Sequence, residues 1–337
     1  MKILYMSVMY DYNDKKRGKN PEIFYRAMQN MPGLDVMGFD CSDFFDLKLR
    51  EQNNARLIRI VKETSPDVLF YISFKDIISS DTLQYIKNNT KTTTINWFND
   101  DQWNYDRFSK TWCWNFDYCT TTYKAAIPKY HAMGYKNIIL TQWGASPGTF
   151  PKLDTPFKYD VSFVGQDYGD REEILDKIQA NRIKVARFGY GWKLSRFKKK
   201  WNKRFKRFPI IQFNSGRVSH EEMVTIFNQS KINLNFSASS VGNMPDQIKA
   251  RNFEVPCCGG FLLTGNAPHL EDFYEVGKEV VCYNSMEDMT DKIRYYLAHE
   301  DERNKIAAAG YERTIKDHTY EKRFRDIFSQ IKLKKTI

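Results

Sequence analysis

The chain lacks any apolar run approaching the length of a membrane span, so a membrane-crossing helix is not expected. It has no C-x-x-C pair among its six cysteines (Cys41, Cys113, Cys119, Cys257, Cys258 and Cys282), and Cys257 and Cys258 are adjacent, a poor pairing for a disulfide. All six are read as reduced thiols of a cytoplasmic protein. Its five histidines (131, 220, 269, 299 and 318) are scattered without metal-ligand spacing, so no metal is expected. No G-x-G-x-x-G follows the first strand, which weakens a dinucleotide reading. Met1-Lys2-Ile3-Leu4-Tyr5 opens directly as a strand, and no signal peptide is expected.

What the chain does have is length, aromatics and positive charge. Its 337 residues suffice for two domains, and a hydrophobic content of 42% supports two cores. Aromatic content is 15%, with 20 Tyr and 24 Phe, enough for sugar- or base-facing surfaces as well as cores. The net charge of +11 calls for an anionic partner: a nucleotide, a nucleic acid or an anionic membrane.

The first half alternates strand and helix, the pattern of a doubly wound α/β domain. Strands are expected at Lys2–Met9, Asp35–Phe39, Asp67–Ser73, Thr92–Phe98 and Asn137–Trp143, with helices from Pro21, at about 51–65 and at about 79–89. A polar loop from Tyr10 to Lys19, containing Gly18, follows the first strand and would face a ligand crevice; a plain turn is the alternative. The stretch Asn96-Trp97-Phe98-Asn99-Asp100-Asp101-Gln102-Trp103 ends a strand in two acids flanked by tryptophans. Acids that take hydroxyls beside aromatic faces that stack on sugar rings would explain the mixture, with Asp100 the leading candidate for a catalytic or positioning role and Trp103 for ligand contact. A helix cap over a packed Trp is the alternative.

The turn-rich stretch Gly144–Pro151, with Pro156 close behind, places a domain boundary near 150–157. Tyr159–Gly165 then starts a second α/β unit, and Ile183–Phe188 leads to Gly189-Tyr190-Gly191-Trp192. Lys193–Phe208 is the most basic stretch in the chain. Leu194, Phe197, Trp201, Phe205 and Phe208 step through it by three or four, giving one apolar helical face. Such a helix suits an anionic membrane surface or polyanionic acceptor; a helix docked on the core competes with that reading, and nucleic acid ranks last. Ser219 and Glu222 form a capping box. Ser237–Asn243 is a small-residue loop whose N–H groups could meet a diphosphate, and Asn243 or Met244 would cap the next helix.

The chain is organised around Pro245–Glu254, read as a short charged helix with Pro245 at its first position and Asp246 in its first turn. On a helix Asp246 and Glu254 would stand roughly 12 Å apart, too far to share one reacting atom but suited to two ends of an elongated ligand. Lys249 and Arg251 between them would meet a negatively charged middle. Hydroxyls, diphosphate and hydroxyls are the layout of a nucleotide-sugar; a solvated helix with internal ion pairs is the alternative.

This stretch, with the apolar strand Phe261–Leu263 after it, resembles the carboxy-terminal signature of GT-B glycosyltransferases, and most of all the group related to the spore maturation protein CgeB. Family 4 glycosyltransferases carry two glutamates separated by seven residues here, where this chain has Asp246 and Glu254. The resemblance continues through Phe116-Asp117-Tyr118, Thr120-Thr121-Thr122 and Gln247–Phe324. It implies an α/β GT-B fold of two doubly wound Rossmann-like domains facing a cleft: residues 1–153 on the acceptor side, 154–318 holding the donor, and 319–337 crossing back to the first domain. It implies that Glu254 holds the donor ribose and Asp246 lies near the transferred sugar. Gly165 and Tyr168 are then candidates for donor contact, and Gly189 and Tyr190 for the donor base.

The expected function is therefore glycosyl transfer from a nucleotide-sugar, without a metal or other cofactor, to an unidentified acceptor such as a cell-surface or spore-surface glycan, protein or lipid. The expected location is cytoplasmic, peripheral at the inner membrane face if 193–208 binds lipid. The rival readings are a non-catalytic binding or structural protein on this fold and a nucleotide-sugar epimerase, which would need a donor but no acceptor.

Overall fold

The computed structural model describes all residues except 12–13, 19–20, 42–46, 74, 193–212, 215, 240, 243 and 335–337. The basic stretch 193–208 and Asn243 thus lie outside the described residues. The chain forms two compact units, Met1–Gln142 with Tyr320–Ile337, and Trp143–Thr319.

Unit 1 is built on β1 (Lys2–Ser7), a hairpin of β2 (Tyr10–Asp11) and β3 (Asp14–Gly18), then β4 (Asp35–Asp40), β5 (Val68–Tyr71), β6 (Thr93–Phe98), β7 (Tyr118–Thr121) and β8 (Ile138–Leu140). Six of these make one parallel sheet in the order β4-β1-β5-β6-β7-β8. β5 and β6 are buried at every position, as strands covered by helices on both faces must be. The region expected as a polar loop is instead largely the antiparallel hairpin, in which Gly18 pairs with Tyr10. Trp97, expected beside a sugar, is fully buried in β6 and packs edge-on to Phe24 at 5.0 Å. Both faces of β6 are covered, so it is a core residue.

The last helix, Tyr320–Gln330, belongs to this core. Tyr320 and Phe324 lie 4.5 and 5.5 Å from Phe24, and Phe324 lies 5.6 Å from Phe70. Beyond it Lys334 donates to the carbonyls of Lys87 (2.6 Å) and Thr92 (2.8 Å) and pairs with Asp117 at 2.8 Å. That ammonium fastens the chain across the amino ends of β6 and β7.

Unit 2 contains β9 (Tyr159–Val164), β10 (Val185–Phe188), β11 (Phe213–Asn214), β12 (Ser230–Asn235), β13 (Leu262–Gly265) and β14 (Val281–Tyr283). They form a parallel sheet in the order β11-β10-β9-β12-β13-β14, the doubly wound order of a Rossmann fold. The order reverses between β9 and β12, and a ligand crevice is expected at the carboxyl ends there. The helix His220–Asn228 carries the capping box read from sequence: Ser219 Oγ accepts from Glu222 N at 3.1 Å, and Glu222 accepts from Ser219 N at 3.0 Å.

The same helix holds the turn-rich segment that precedes β9. His220 Nε2 meets the Thr149 carbonyl at 2.6 Å. Asn228 donates to the Pro151 carbonyl at 3.1 Å and accepts from Leu153 N at 2.7 Å. Lys158 N and Tyr159 N both donate to Gln229 O, at 2.8 and 3.0 Å. The division between units accordingly falls after Gln142, earlier than the 153/154 boundary, because these bonds make 149–159 part of unit 2.

The helix expected over Pro245–Glu254 is corrected. It runs from Arg251 to Cys257, and residues 244–249 are not helical. The 245–249 segment is tied instead to the loop after β12 and to the first turn of the helix. Gln247 N donates to Ser237 O at 3.0 Å, and the Lys249 amide goes to the Asn252 side chain at 2.8 Å rather than back along a helix. Asp246 and Glu254 therefore do not share one helix face.

Candidate active site

The carboxyl ends of β9 and β10 are pressed together backbone to backbone. Gly165 N donates to Phe188 O at 2.8 Å, and a Cβ on Gly189 would lie 2.1 Å from the Gly165 carbonyl oxygen. Gly189 also has a φ of +135°, which L side chains rarely adopt. The contact holds the loops after both strands: Trp192 Nε1 donates to Gly165 O at 2.9 Å, and Asp167 N donates to Tyr190 O at 3.0 Å. Tyr190 is left 64% exposed at the tip, open to stacking on a planar ligand.

Arg171 starts the helix Arg171–Ala180, where one Arg has the sequence signature of a solvated charge. It is buried. Its guanidinium lies 3.5 Å from the Tyr168 ring centroid, bonds the Tyr168 hydroxyl and donates to Gln166 O at 2.9 Å, while its Nε has no partner among the described residues. Burial holds its pKa below the usual guanidinium value, and the neighbouring Arg251 adds to that, whereas the Tyr168 hydroxyl opposes it. Two guanidinia thus converge on the end of β9, where Arg251 Nε also reaches Val164 O at 3.4 Å. Such a pair suits an anion with several oxygens.

Arg251 is fixed by an ion pair with Glu254, three residues on along the helix; the Glu254 side chain is 2% exposed and that of Arg251 25%. Asp246 accepts from Ser237 Oγ at 2.7 Å. Tyr283, at the end of β14, donates to Asn235 O at 3.0 Å. Burial raises the Tyr283 phenol strongly, and the Asp246 charge raises it further, with Arg171 opposing. Asp246, Tyr283, Arg171 and Arg251 are therefore electrostatic neighbours around the end of this sheet. Lys249 is half-buried in the segment leading to Arg251.

Of the residues singled out in the sequence, Gly165, Tyr168, Gly189, Tyr190, Asp246, Lys249, Arg251 and Glu254 all fall in unit 2, at or beside the carboxyl end of its sheet. Asp100, Trp103 and Gly18 fall in unit 1. Asp100 occupies the N-cap position of the helix Asp101–Asn104 and is half-buried, as is Trp103 on that helix. Asp101 is 1% exposed and accepts from the Tyr130 hydroxyl at 2.9 Å. Burial raises its pKa, opposed by the Ser109, Thr121 and Tyr130 hydroxyls and by Lys129. The paired acids thus split into a partly accessible one and a buried anchor. All six cysteines are buried free thiols. Burial raises Cys113 to about 12 and Cys282 to about 11, so neither is a thiolate at neutral pH. No helix among the described residues is long and apolar enough to cross a membrane.

Two Rossmann-like units, one carrying this constellation at its switch point, define a protein of the GT-B fold, and residues 171–329 match the family described as glycosyl transferase-like. Over 202 residues the chain is 24% identical to Spore protein CgeB of Bacillus subtilis (strain 168), a stretch covering 57% of this chain and 61% of that protein. Among solved structures it is similar to HepE of Anabaena in complex with UDP, at 11% identity and a TM-score of 0.63 over 98% of this chain and 100% of that one. It is also similar to sucrose-phosphate synthase of Thermosynechococcus elongatus, at 12% identity and a TM-score of 0.65 over the same shares.

Proposed function

We propose that this protein is a glycosyltransferase that takes a sugar from a nucleotide-sugar bound at the carboxyl end of the unit 2 sheet and passes it to a hydroxyl-bearing acceptor. The observation that carries the reading is the convergence of Arg171 and Arg251 on the end of β9, beside the Gly165–Gly189 contact and the carboxylates of Asp246 and Glu254. The family match over 171–329 and the similarity to HepE, whose structure holds UDP, support it. The two guanidinia would take the diphosphate and stabilise charge on the departing phosphate oxygen, so that no metal is required for that step. Glu254, held by Arg251, would accept ribose hydroxyls. Asp246 would orient the transferred sugar, a hexose passed on with retention, as the resemblance to family 4 glycosyltransferases implies. Tyr190 would stack on the base, with Gly165, Tyr168 and Gly189 lining the donor and Lys249 beside the phosphates. In unit 1, Asp100 would meet the acceptor hydroxyl, with Trp103 and the Gly18 hairpin beside the ligand. Residues 193–208 would meet an anionic membrane surface, placing the enzyme peripherally at the cytoplasmic face; co-sedimentation with anionic vesicles tests that part.

The test is a thermal-shift screen with UDP, GDP, ADP, CDP and dTDP, with and without the corresponding sugars. A ligand at 100 times its dissociation constant adds about 2.7 kcal/mol of stability. One nucleotide that raises the midpoint, and loses the effect in Glu254→Ala, supports the reading. No shift from any of them in folded protein overturns it. Conversion of the bound nucleotide-sugar without any acceptor would move the assignment to an epimerase.

A further inference from the structure

Under the site lies a small buried network of amides and a hydroxyl that no ligand is expected to reach. Asn235 ends β12 and is paired in register with Thr264 of β13. Its Nδ2 donates to Thr264 Oγ1 at 3.0 Å and lies 3.4 Å from Asn252 Oδ1. Asn252 Nδ2 also donates to Thr264 Oγ1, at 3.2 Å, and that hydroxyl passes its own proton on to Gly265 O at 3.3 Å. All three side chains are buried, Thr264 completely.

The other side of this network faces the segment that deviates from the sequence expectation. Asn252 Oδ1 accepts the Lys249 amide at 2.8 Å, and Asn252 N donates back to Lys249 O at 2.9 Å. This reciprocal pair resembles a capping box, in which a side chain one turn into a helix reaches back to an amide at its start. A helix beginning at Pro245 would need that same Lys249 amide for its own first turn, and Asn252 removes it. Two residues past Asn235, Ser237 holds the other end of the segment through Asp246 (2.7 Å) and Gln247 N (3.0 Å). Arg251, the residue just before Asn252, carries the guanidinium of the proposed donor site.

We propose that Asn252 is a positioning residue: clamped by Asn235 and Thr264, its amide sets where the helix bearing Arg251 and Glu254 begins, and so holds Asp246 and Arg251 in place for the donor. The assignment rests on the donor reading above. Asn252 touches no ligand itself and acts through the Lys249 amide.

The experiment compares the full-length protein with Asn252→Leu, with Thr264→Val, which keeps the volume but removes the anchoring hydroxyl, and with Asn228→Ala. The last removes another buried asparagine of unit 2, one that holds residues 151–153 and meets the helix Arg251–Cys257 only at its far end, through Cys258. Dissociation constants for the nucleotide that binds wild type are measured at a temperature where circular dichroism shows every variant folded. Hydrogen exchange of the Lys249 amide is read without ligand. Asn252→Leu is expected to weaken binding at least tenfold and to speed Lys249 exchange, with Thr264→Val moving both the same way by less. Asn228→Ala should lower the thermal midpoint and leave both readouts unchanged. Unchanged Lys249 exchange in both network variants, or equal loss of affinity in Asn228→Ala, overturns the proposal; if Asn252→Leu does not fold, Thr264→Val decides. Failure of wild type to bind any nucleotide, with Lys249 protection still dependent on Asn252, would refute the donor reading while leaving the local geometry standing.

Discussion

Gly189 and Gly165 meet backbone to backbone at the ends of adjacent strands, with no room for a side chain on Gly189. Gly189→Ala should destabilise unit 2 by roughly 2–4 kcal/mol, through positive-φ strain of about 1–3 kcal/mol together with the clash on the Gly165 carbonyl. Gly242, whose Cβ would meet nothing, is the control, and Gly242→Ala should be near neutral. Denaturant unfolding of both variants checks the pair.

Arg171 should separate stability from binding. A buried cation with no carboxylate in ion-pair contact among the described residues offsets its desolvation cost only through neutral oxygens and aromatic rings. Arg171→Met should therefore leave the ligand-free midpoint unchanged or higher. Nucleotide binding should weaken by roughly 10–100-fold, the loss of a charge-assisted hydrogen bond of about 1.5–3 kcal/mol. Calorimetry on one sample reads both, and a fall in stability with unchanged affinity would make Arg171 a structural residue only.

Glu254→Gln should lower stability by roughly 2–4 kcal/mol, somewhat under the cost of breaking a fully buried pair, because Arg251 keeps partial access to water. Glu254→Gln/Arg251→Met, which removes both charges, should recover part of that loss. Urea midpoints of the single and double variants test the coupling.

Asp101 makes unit 1 sensitive to pH in a defined direction. Its folded pKa lies above the ordinary 3.8 because burial disfavours the carboxylate. The folded state therefore holds this proton longer than the unfolded chain does. The stability it contributes is full below 3.8 and is lost as pH rises through the folded value. Asp101→Asn, which keeps an acceptor for Tyr130, should flatten that decline. Urea midpoints at pH 4 and pH 7 should differ less in the variant than in wild type.

Lys334 makes three charge-assisted contacts at the amino ends of β6 and β7. Lys334→Met should destabilise unit 1 by about 1–3 kcal/mol. Asp117→Asn should cost less, because the two carbonyls still hold the ammonium. Urea unfolding of the two variants ranks them.

The doubly wound architecture was legible because it rests on periodicity: apolar runs such as Ile3–Met6 and Val68–Tyr71 separated by amphipathic segments leave few alternatives. What escaped depended on contacts distant in sequence. Pro245 and Asp246 read locally as a helix start, yet Asn252, held from β12 and β13, claims the amide such a helix would use. Trp97 beside two acids has the local look of a sugar platform, but β6 is covered on both faces and any side chain in it lies in the core. Arg171 carries no local sign of burial; its setting comes from Tyr168, Phe163 and Phe236, which close around it in the folded unit. Asp246 and Glu254 lie near one sheet end without sharing a helix, a placement set by bonds to Ser237 and Arg251 rather than by their spacing.

The segment from Thr149 to Tyr159 has the composition of a cleavable linker, with Pro151 and Pro156 and two exposed apolar side chains, Leu153 and Phe157. A protease must draw several consecutive residues out into its groove before it can cut. Here that would mean releasing the bonds to His220, Asn228 and Gln229 together. The bait is displayed but tethered, and digestion under native conditions should spare it until the helix His220–Asn228 itself opens.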